Sequence, residues 1–333
     1  MLKTKKSIIA LAGLVSVLTS VPVHAQQLID LTGSLNKTEI FPYIGDFAGV
    51  FTTAQPNYWV GSSGAGVMQP FLRVQDSPVE RGINSDLKQS DLQYDESAGT
   101  WTHSLRREES SVLSGYNIPG LADPYRDKFY REFLLDVNEP DNDPSYVILS
   151  ELKVYISDSP NLTGFDGKQS TLESWATTTL TDPNAGHQTI KAFDLDLKDT
   201  DTDGDLDPFD RAILLDYGLL GSGGGRPDMT VYLPRIYNPA AGTHVFFYTR
   251  FGCSTTADAD YDANCQAAIN LATAAGKSGV SASSGSEDWA VRQTVINQEV
   301  PAPPAILGAF AAFGYMRKLR RRLKAHQASQ LAA

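Results

Sequence analysis

Apolar and polar residues alternate with a period of two in several short stretches of the chain. The clearest stretches are residues 133–137 and 148–156, and the pattern returns in residues 229–233 and 245–249. Such alternation is typical of half-buried antiparallel strands. Between the first two stretches, residues 138–144 are rich in Asn, Asp and Pro, which favour turns. We therefore expect the first two strands to pair with each other.

One stretch has a helical character instead. Residues 266–275 are rich in alanine, with Asn264 in front as a possible N-cap and Gly276 behind as a stop. Many short strands separated by Gly and Pro, with a single helix, predict an all-β fold, either an antiparallel β-sandwich or a jelly roll. The pattern leaves open whether the strands form one sandwich or two.

The beginning of the chain has the three parts of a secretory signal peptide. Residues 1–6 contain three lysines, residues 7–21 are mostly apolar, and residues 23–25 read Val-His-Ala, a small-x-small cleavage site. The apolar part is too short for a membrane span. Residues 1–25 are therefore predicted to be removed on export, which leaves residues 26–298 as the body of the protein.

The other end combines prolines, a short apolar helix and a basic cluster. Residues 299–324 contain three prolines, then the uncharged residues 305–316, and then six Lys and Arg. The apolar part would span about 18 Å, against a bilayer core of about 30 Å, so it predicts a weak anchor with the basic residues on the cytoplasmic side. An amphipathic helix lying on a partner or on lipid headgroups is the alternative. Residues 325–333 form a short tail.

This order of parts resembles the PEP-CTERM sorting signal of Gram-negative and cyanobacterial surface proteins. The motif reads Val300-Pro301-Ala302-Pro303, with Ala302 where the family has glutamate, so it is a variant signal. The resemblance implies transient membrane anchoring through a C-terminal hydrophobic helix and processing by an exosortase-type protease. Family members often accompany extracellular polysaccharide. The expected location is the cell surface, the outer membrane or the extracellular space.

The body of the chain is strongly acidic. The net charge of −11 includes +3 from residues 1–25 and +6 from residues 301–333, which leaves −20 for the rest. Such a charge argues against nucleic-acid binding and suits divalent cations. The two cysteines, Cys253 and Cys265, both lie in this exported part. An oxidising compartment favours a disulfide between them, with two buried free thiols as the alternative.

An aspartate-rich segment, residues 199–210, fits the twelve-residue calcium loop. Its candidate ligands are Asp199, Asp201, Asp203, Asp205, Asp207 and Asp210. Four of the side chains fall at positions 1, 3, 5 and 9, Gly204 falls at position 6, and Asp205 offers its backbone carbonyl at position 7. Position 12 is Asp210 rather than glutamate. A solvated acidic turn is the alternative reading.

The flanks of this segment are not those of an EF-hand. Residues 192–197 alternate like a strand, so the loop resembles the calcium loops of dockerins and other extracellular modules. We expect Ca²⁺ there to brace a connection between strands. Asp258, Asp260 and Asp262 form a weaker candidate metal site, because their spacing is similar but the segment lacks the glycine.

No enzyme signature stands out in the chain, so we expect an exported, non-catalytic surface or matrix protein. The first alternative is a carbohydrate-binding module that binds exopolysaccharide, with Tyr58, Trp59 or Trp101 as stacking candidates. The second is a secreted hydrolase, since a carboxylate pair of glycosidase type would be recognisable only by its geometry.

Overall fold

Strands make up most of the structure, a computed structural model. It describes residues 27–44, 47–54, 68–86, 101–138, 146–160, 162, 180–181, 188–198, 207–208, 211–219, 227–234, 243–253, 263–277, 279–282 and 285–292. The chain divides into two units, Met1–Arg292 and Gln293–Ala333. Everything described below belongs to the first.

The elements are numbered in chain order. The strands are β1 (Gln27–Asp30), β2 (Thr38–Ile44), β3 (Phe47–Thr52), β4 (Met68–Val74), β5 (Glu80–Ile83), β6 (Leu105–Arg106), β7 (Val112–Ser114), β8 (Phe129–Val137), β9 (Tyr146–Ser157), β10 (Leu180–Thr181), β11 (Gln188–Asp194), β12 (Leu197–Lys198), β13 (Asp207–Pro208), β14 (Arg211–Asp216), β15 (Met229–Pro234), β16 (His244–Phe251) and β17 (Glu287–Arg292). The helix α1 spans Ala263–Ala274, and four 3-10 turns cover Arg107–Glu109, Gly115–Asn117, Tyr125–Asp127 and Tyr217–Leu219.

These strands form two larger sheets and one small hairpin. In sheet A, the central strand β9 pairs with β16, β14 and β11, while β1, β10, β5 and β6 complete the sheet. Sheet B has the order β2-β3-β15-β8-β17-β4, and β7 also pairs with β8. Strands β12 and β13 pair only with each other among the described residues. The pairing is antiparallel throughout except between β1 and β14, which run parallel.

The inner faces of the two sheets share one apolar core, which makes the fold sandwich-like. Phe247 of sheet A lies at its centre, with ring centroids 4.6 Å from Phe133 and 5.3 Å from Trp289, both of sheet B. The Trp289 indole N–H donates to the Thr249 hydroxyl across the core at 3.2 Å. A buried aromatic side chain contributes several kcal/mol, so this cluster is a main source of stability.

Helix α1 packs on the outer face of sheet A. Its apolar face, Cys265, Ala268 and Ala272, contacts buried residues of β9 and β14 such as Ile148 and Leu214. The predicted N-cap is wrong, because the helix begins at Ala263 and Asn264 is its second residue. The helix thus starts ahead of its apolar face, whose first residue is Cys265. Gly276 follows the helix with a φ of +73°, as expected for a stop.

The described residues contain no helix that is both long and apolar enough to cross a membrane. The predicted signal peptide and the C-terminal residues 299–324 lie outside the part of the chain that the structure describes.

The predicted pairing of the two clearest strands is wrong. Both strands form, as β8 and β9, but β8 belongs to sheet B and β9 to sheet A. The turn-rich residues between them therefore connect the sheets rather than close a hairpin. The expected half-burial is also wrong, because nearly every residue of both strands is buried. Helix α1 and other segments cover the outer faces, so central strands meet solvent on neither side.

The outer face of sheet B is covered by residues of the segment 113–125. Ile118 and Leu121 pack there against Tyr130 and Tyr232. Glu132 lies on the same face, fully buried, 3.0 Å from the Arg292 guanidinium, and its carboxylate accepts a hydrogen bond from the Tyr232 hydroxyl at 3.4 Å. Burial raises the pKa of Glu132 from 4.5 to about 7, although Arg292 opposes the rise.

This raised pKa predicts a pH dependence of stability that Glu132→Gln reduces. The contribution of Glu132 to the free energy of unfolding is fully present below pH 4.5, the pKa of this side chain in the unfolded chain. It is lost as the pH rises towards the folded pKa of about 7. The loss amounts to roughly 3 kcal/mol in the wild type. Urea unfolding across this range should show a smaller decline for Glu132→Gln. The exposed Glu108→Gln serves as a control and should keep the wild-type decline; equal declines in all three proteins would contradict the prediction.

Candidate functional site

Two strands of sheet A flank the aspartate-rich segment in the sequence. Strands β11 and β14 both pair with the edge of β9 that faces away from β16, and both run antiparallel to β9. Asp194 is opposite Lys153, and Ile213 is opposite Leu149. The two strands therefore follow one line along β9, which is interrupted between Leu195 and Arg211. The candidate calcium loop lies within this interruption.

Two contacts close the base of the interruption, which we call the neck. The backbone N–H of Arg211 donates to the Asp196 carboxylate at 3.1 Å. One step further out, β12 and β13 pair, with Leu197 opposite Pro208 and Lys198 opposite Asp207. The neck thus brings Lys198 and Asp207 side by side. Strand β11 precedes it, as the alternation in residues 192–197 predicts, and strand β14 follows it.

The structure describes only part of the predicted site. Asp207 is seen in β13 through its backbone pairing. The other predicted ligands and the weaker aspartate cluster lie outside the described residues; these are Asp199, Asp201, Asp203, Asp205, Asp210, Asp258, Asp260 and Asp262. Within the described ranges, no group of three or more His, Cys, Asp and Glu is arranged to hold a metal ion.

A buried network of charges lies beside the neck, on the outer face of sheet A. The Lys153 ammonium is 3.3 Å from the Glu151 carboxylate, and the Arg250 guanidinium is 3.7 Å from the same carboxylate. Lys191 pairs with Asp194 at 2.6 Å. Lys153, Asp194 and Arg250 are all buried. The network joins β16, β9 and β11 across the sheet.

Burial dominates the electrostatics of this network. It raises the pKa of Glu151, against the opposing effects of Lys153 and Arg250. It also raises the pKa of Asp196 well above its ordinary value, and the neighbouring charges of Asp194 and Glu151 add to the rise. For Lys153, burial lowers the pKa but Glu151 and Asp194 outweigh it, so the net shift is upward. The neck therefore adjoins a buried cluster in which carboxylates and cations are packed together.

Sequence reasoning missed these neck and network residues as a group. The alternate positions of Glu151 and Lys153, and of Asp194 and Asp196, are visible in the sequence, but they read as solvent-facing positions of half-buried strands. Only the pairing of β9 with β11 and β16 brings them together.

The predicted disulfide is confirmed. Cys253 and Cys265 are joined with an S–S distance of 2.08 Å and Cα atoms 5.8 Å apart, and both residues are buried. Cys253 lies just after β16 and Cys265 lies in the first turn of α1, so the bond ties the helix to the sheet that it covers.

One of the predicted stacking residues is described. Trp101 is half-buried, and the Arg73 guanidinium carbon lies 4.5 Å from its ring centroid. Arg73 in turn forms a two-point ion pair with the Asp288 carboxylate. One face of the Trp101 ring is therefore covered by a cation of the protein itself. Tyr58 and Trp59 lie outside the described residues.

Comparison of the chain with protein-family models, curated proteins and solved structures gives no match. The functional argument therefore rests on the residues and their geometry.

The charge network predicts that Lys153→Met is strongly destabilising. The substitution keeps the bulk of the side chain but removes a buried partner of Glu151, and breaking a buried ion pair costs about 3–5 kcal/mol. Arg250 and Lys191 remain nearby, so we expect a loss near the lower end of this range in urea unfolding. Lys37→Met is the matched control, because Lys37 pairs with Asp30 at 3.6 Å on the surface and such pairs contribute about 0–1 kcal/mol. Similar losses for both variants would argue against the network.

Proposed function

We propose that the chain is an exported, non-catalytic protein of the cell surface or extracellular matrix, braced by a structural calcium ion. The observation that carries the proposal is the buried disulfide between Cys253 and Cys265. Disulfides persist in oxidising compartments and are rare in the reducing cytosol. The signal-peptide pattern of residues 1–25 independently points to the same compartment.

The proposed calcium site is the loop that extends from the neck. Carboxylates of Asp199, Asp201, Asp203, Asp207 and Asp210 and the backbone carbonyl of Asp205 would supply hard oxygen ligands. Calcium takes six to eight such ligands. The closed neck supports this proposal, because it brings residues 198 and 207 side by side at the two ends of the loop. Carboxylates held this close repel one another, and a divalent cation relieves the repulsion.

A structural role for the ion follows from where the loop is attached. Each side of the neck leads directly into a strand of sheet A, β11 on one side and β14 on the other. An ion that fixes the loop would therefore also hold these strands in line along β9.

The C-terminal segment is proposed to act as a sorting signal of the PEP-CTERM type. Its helix, residues 305–316, would anchor the chain transiently in the membrane, and an exosortase-type protease would process it. Because Ala302 stands where the family has glutamate, the protease would have to act on a variant motif.

Calcium is predicted to raise the melting temperature of the wild-type protein. A ligand at one hundred times its Kd stabilises by about 2.7 kcal/mol, which corresponds to a shift of about 5 °C or more for a body of this size. Scanning calorimetry in calcium and in chelator should show this shift, and Asp201→Ala combined with Asp203→Ala should lose it. The exposed pair Glu108→Ala and Asp158→Ala is the control and should retain it. Equal melting of the wild type in calcium and in chelator would refute the calcium brace.

The sorting role predicts that removal of residues 299–333 releases the protein from producing cells. Immunoblots of cell and medium fractions should find the truncated chain in the medium. Removal of residues 325–333 alone spares the proposed helix and the basic cluster, so this control should stay cell-associated. Unchanged retention of the longer truncation would leave the sorting signal without support.

A further inference from the structure

A small pocket opens between the outermost described strands of the two sheets. Strand β1 is at the edge of sheet A and β2 is at the edge of sheet B. The pocket has a volume of about 130 Å³. Its lining residues are Gln27, Ile29, Glu39, Ile40, Phe41, Pro42 and Arg211. Strand β12 of the neck also contacts β2, so the pocket adjoins the base of the candidate calcium loop.

Arg211 places a positive charge in this pocket. It is the first residue of β14, is paired with Gln27 of β1, and is only 1% exposed. Its guanidinium carbon lies 5.4 Å from the ring centroid of Phe41. The guanidinium is a cation at neutral pH, because arginine is not deprotonated in proteins. A charge in surroundings of low polarity attracts an anion more strongly than the same charge at the surface.

The shape of the guanidinium favours a flat anion. Its N–H groups form a planar fork that matches a carboxylate with two parallel hydrogen bonds. Ile29 and Phe41 supply an apolar wall beside it. An apolar cavity of about 150 Å³ accommodates benzene. A pocket of about 130 Å³ therefore has room for a carboxylate and part of one small ring.

The remaining polar residues narrow the class of ligand. Glu39 and Gln27 are exposed lining residues. The Glu39 carboxylate repels a dianion such as phosphate, but it accepts hydrogen bonds from hydroxyl groups, and the Gln27 amide donates and accepts them. We propose that this pocket binds a hydroxylated carboxylate of the size of one sugar acid, with its carboxylate on Arg211 and its hydroxyl groups at Glu39 and Gln27.

Such a ligand has two chemical sources, a free sugar acid or a uronic acid residue of an acidic polysaccharide. The inference goes beyond the calcium-braced export proposal and does not depend on it, because binding is measured on the purified chain whatever its location. Failure of the pocket would leave the melting shift with calcium untouched.

Calorimetric titration of the purified full-length chain tests the pocket with four probes: D-glucuronate, D-glucose, inorganic phosphate and trigalacturonate. We expect saturable binding of glucuronate and none of glucose, because only glucuronate carries the carboxylate. Stronger binding of trigalacturonate assigns the pocket to a polysaccharide, and stronger binding of glucuronate assigns it to the free acid. Equal binding of glucuronate and glucose, binding of phosphate alone, or no binding of any anion would overturn the proposal.

Two pocket variants and one control variant make the test specific. Arg211→Met should weaken glucuronate binding about tenfold or more, since hydrogen bonds between charged groups are lost. Arg106→Met removes an arginine whose side chain is 67% exposed, and it should bind like the wild type. Glu39→Gln changes an exposed side chain and therefore tests the pocket even if Arg211→Met does not fold. It should lower the preference for glucuronate over phosphate, and an unchanged preference would count against the assigned orientation.

Discussion

The pairing of Glu151 with Lys153 is the constraint on which the central part of the structure depends. Both residues lie on the outer face of β9, where an isolated charge would cost several kcal/mol. Each is the counter-ion of the other, while β16 adds Arg250 on one side of β9 and β11 places Asp194 opposite Lys153 on the other. With these pairings along β9, strand β11 ends beside Leu152, and Asp196 lies next to the start of β14. The position of the neck, and with it the origin of the aspartate-rich loop, follows from this arrangement.

Fold class was accessible from the sequence, whereas strand pairing was not. Alternation with a period of two depends on each strand alone, so β8, β9, β15 and β16 are all predicted close to where they lie. Which strands become neighbours depends on contacts between residues far apart in the chain, such as Lys153 and Tyr248. A turn-rich connection reads the same whether it closes a hairpin or crosses between sheets. Charged residues at alternate positions likewise read as solvent-facing, because the sequence does not show their buried partners.

The candidate sites also differ in how far the sequence alone predicts them. Spacing within one short segment identified the aspartate-rich loop, and the scarcity of cysteines identified the disulfide. Asp196, Glu151 and Arg211 escaped notice because each has a different strand or turn to position it. The pocket at Arg211 is even harder to predict from the sequence, because its walls come from β1, β2 and β14. It forms only where the edges of the two sheets meet.

The interrupted line formed by β11 and β14 also bears on how such a protein can change over generations. Because β12 and β13 pair at the neck, a change in the length of the segment between them need not shift the register of either strand along β9, although it would remove the proposed calcium ligands. The entropic cost of a longer loop grows only with the logarithm of its length. The neck thus separates the strand registers of sheet A from the segment that joins them, and it offers a natural point at which a foreign peptide could be displayed.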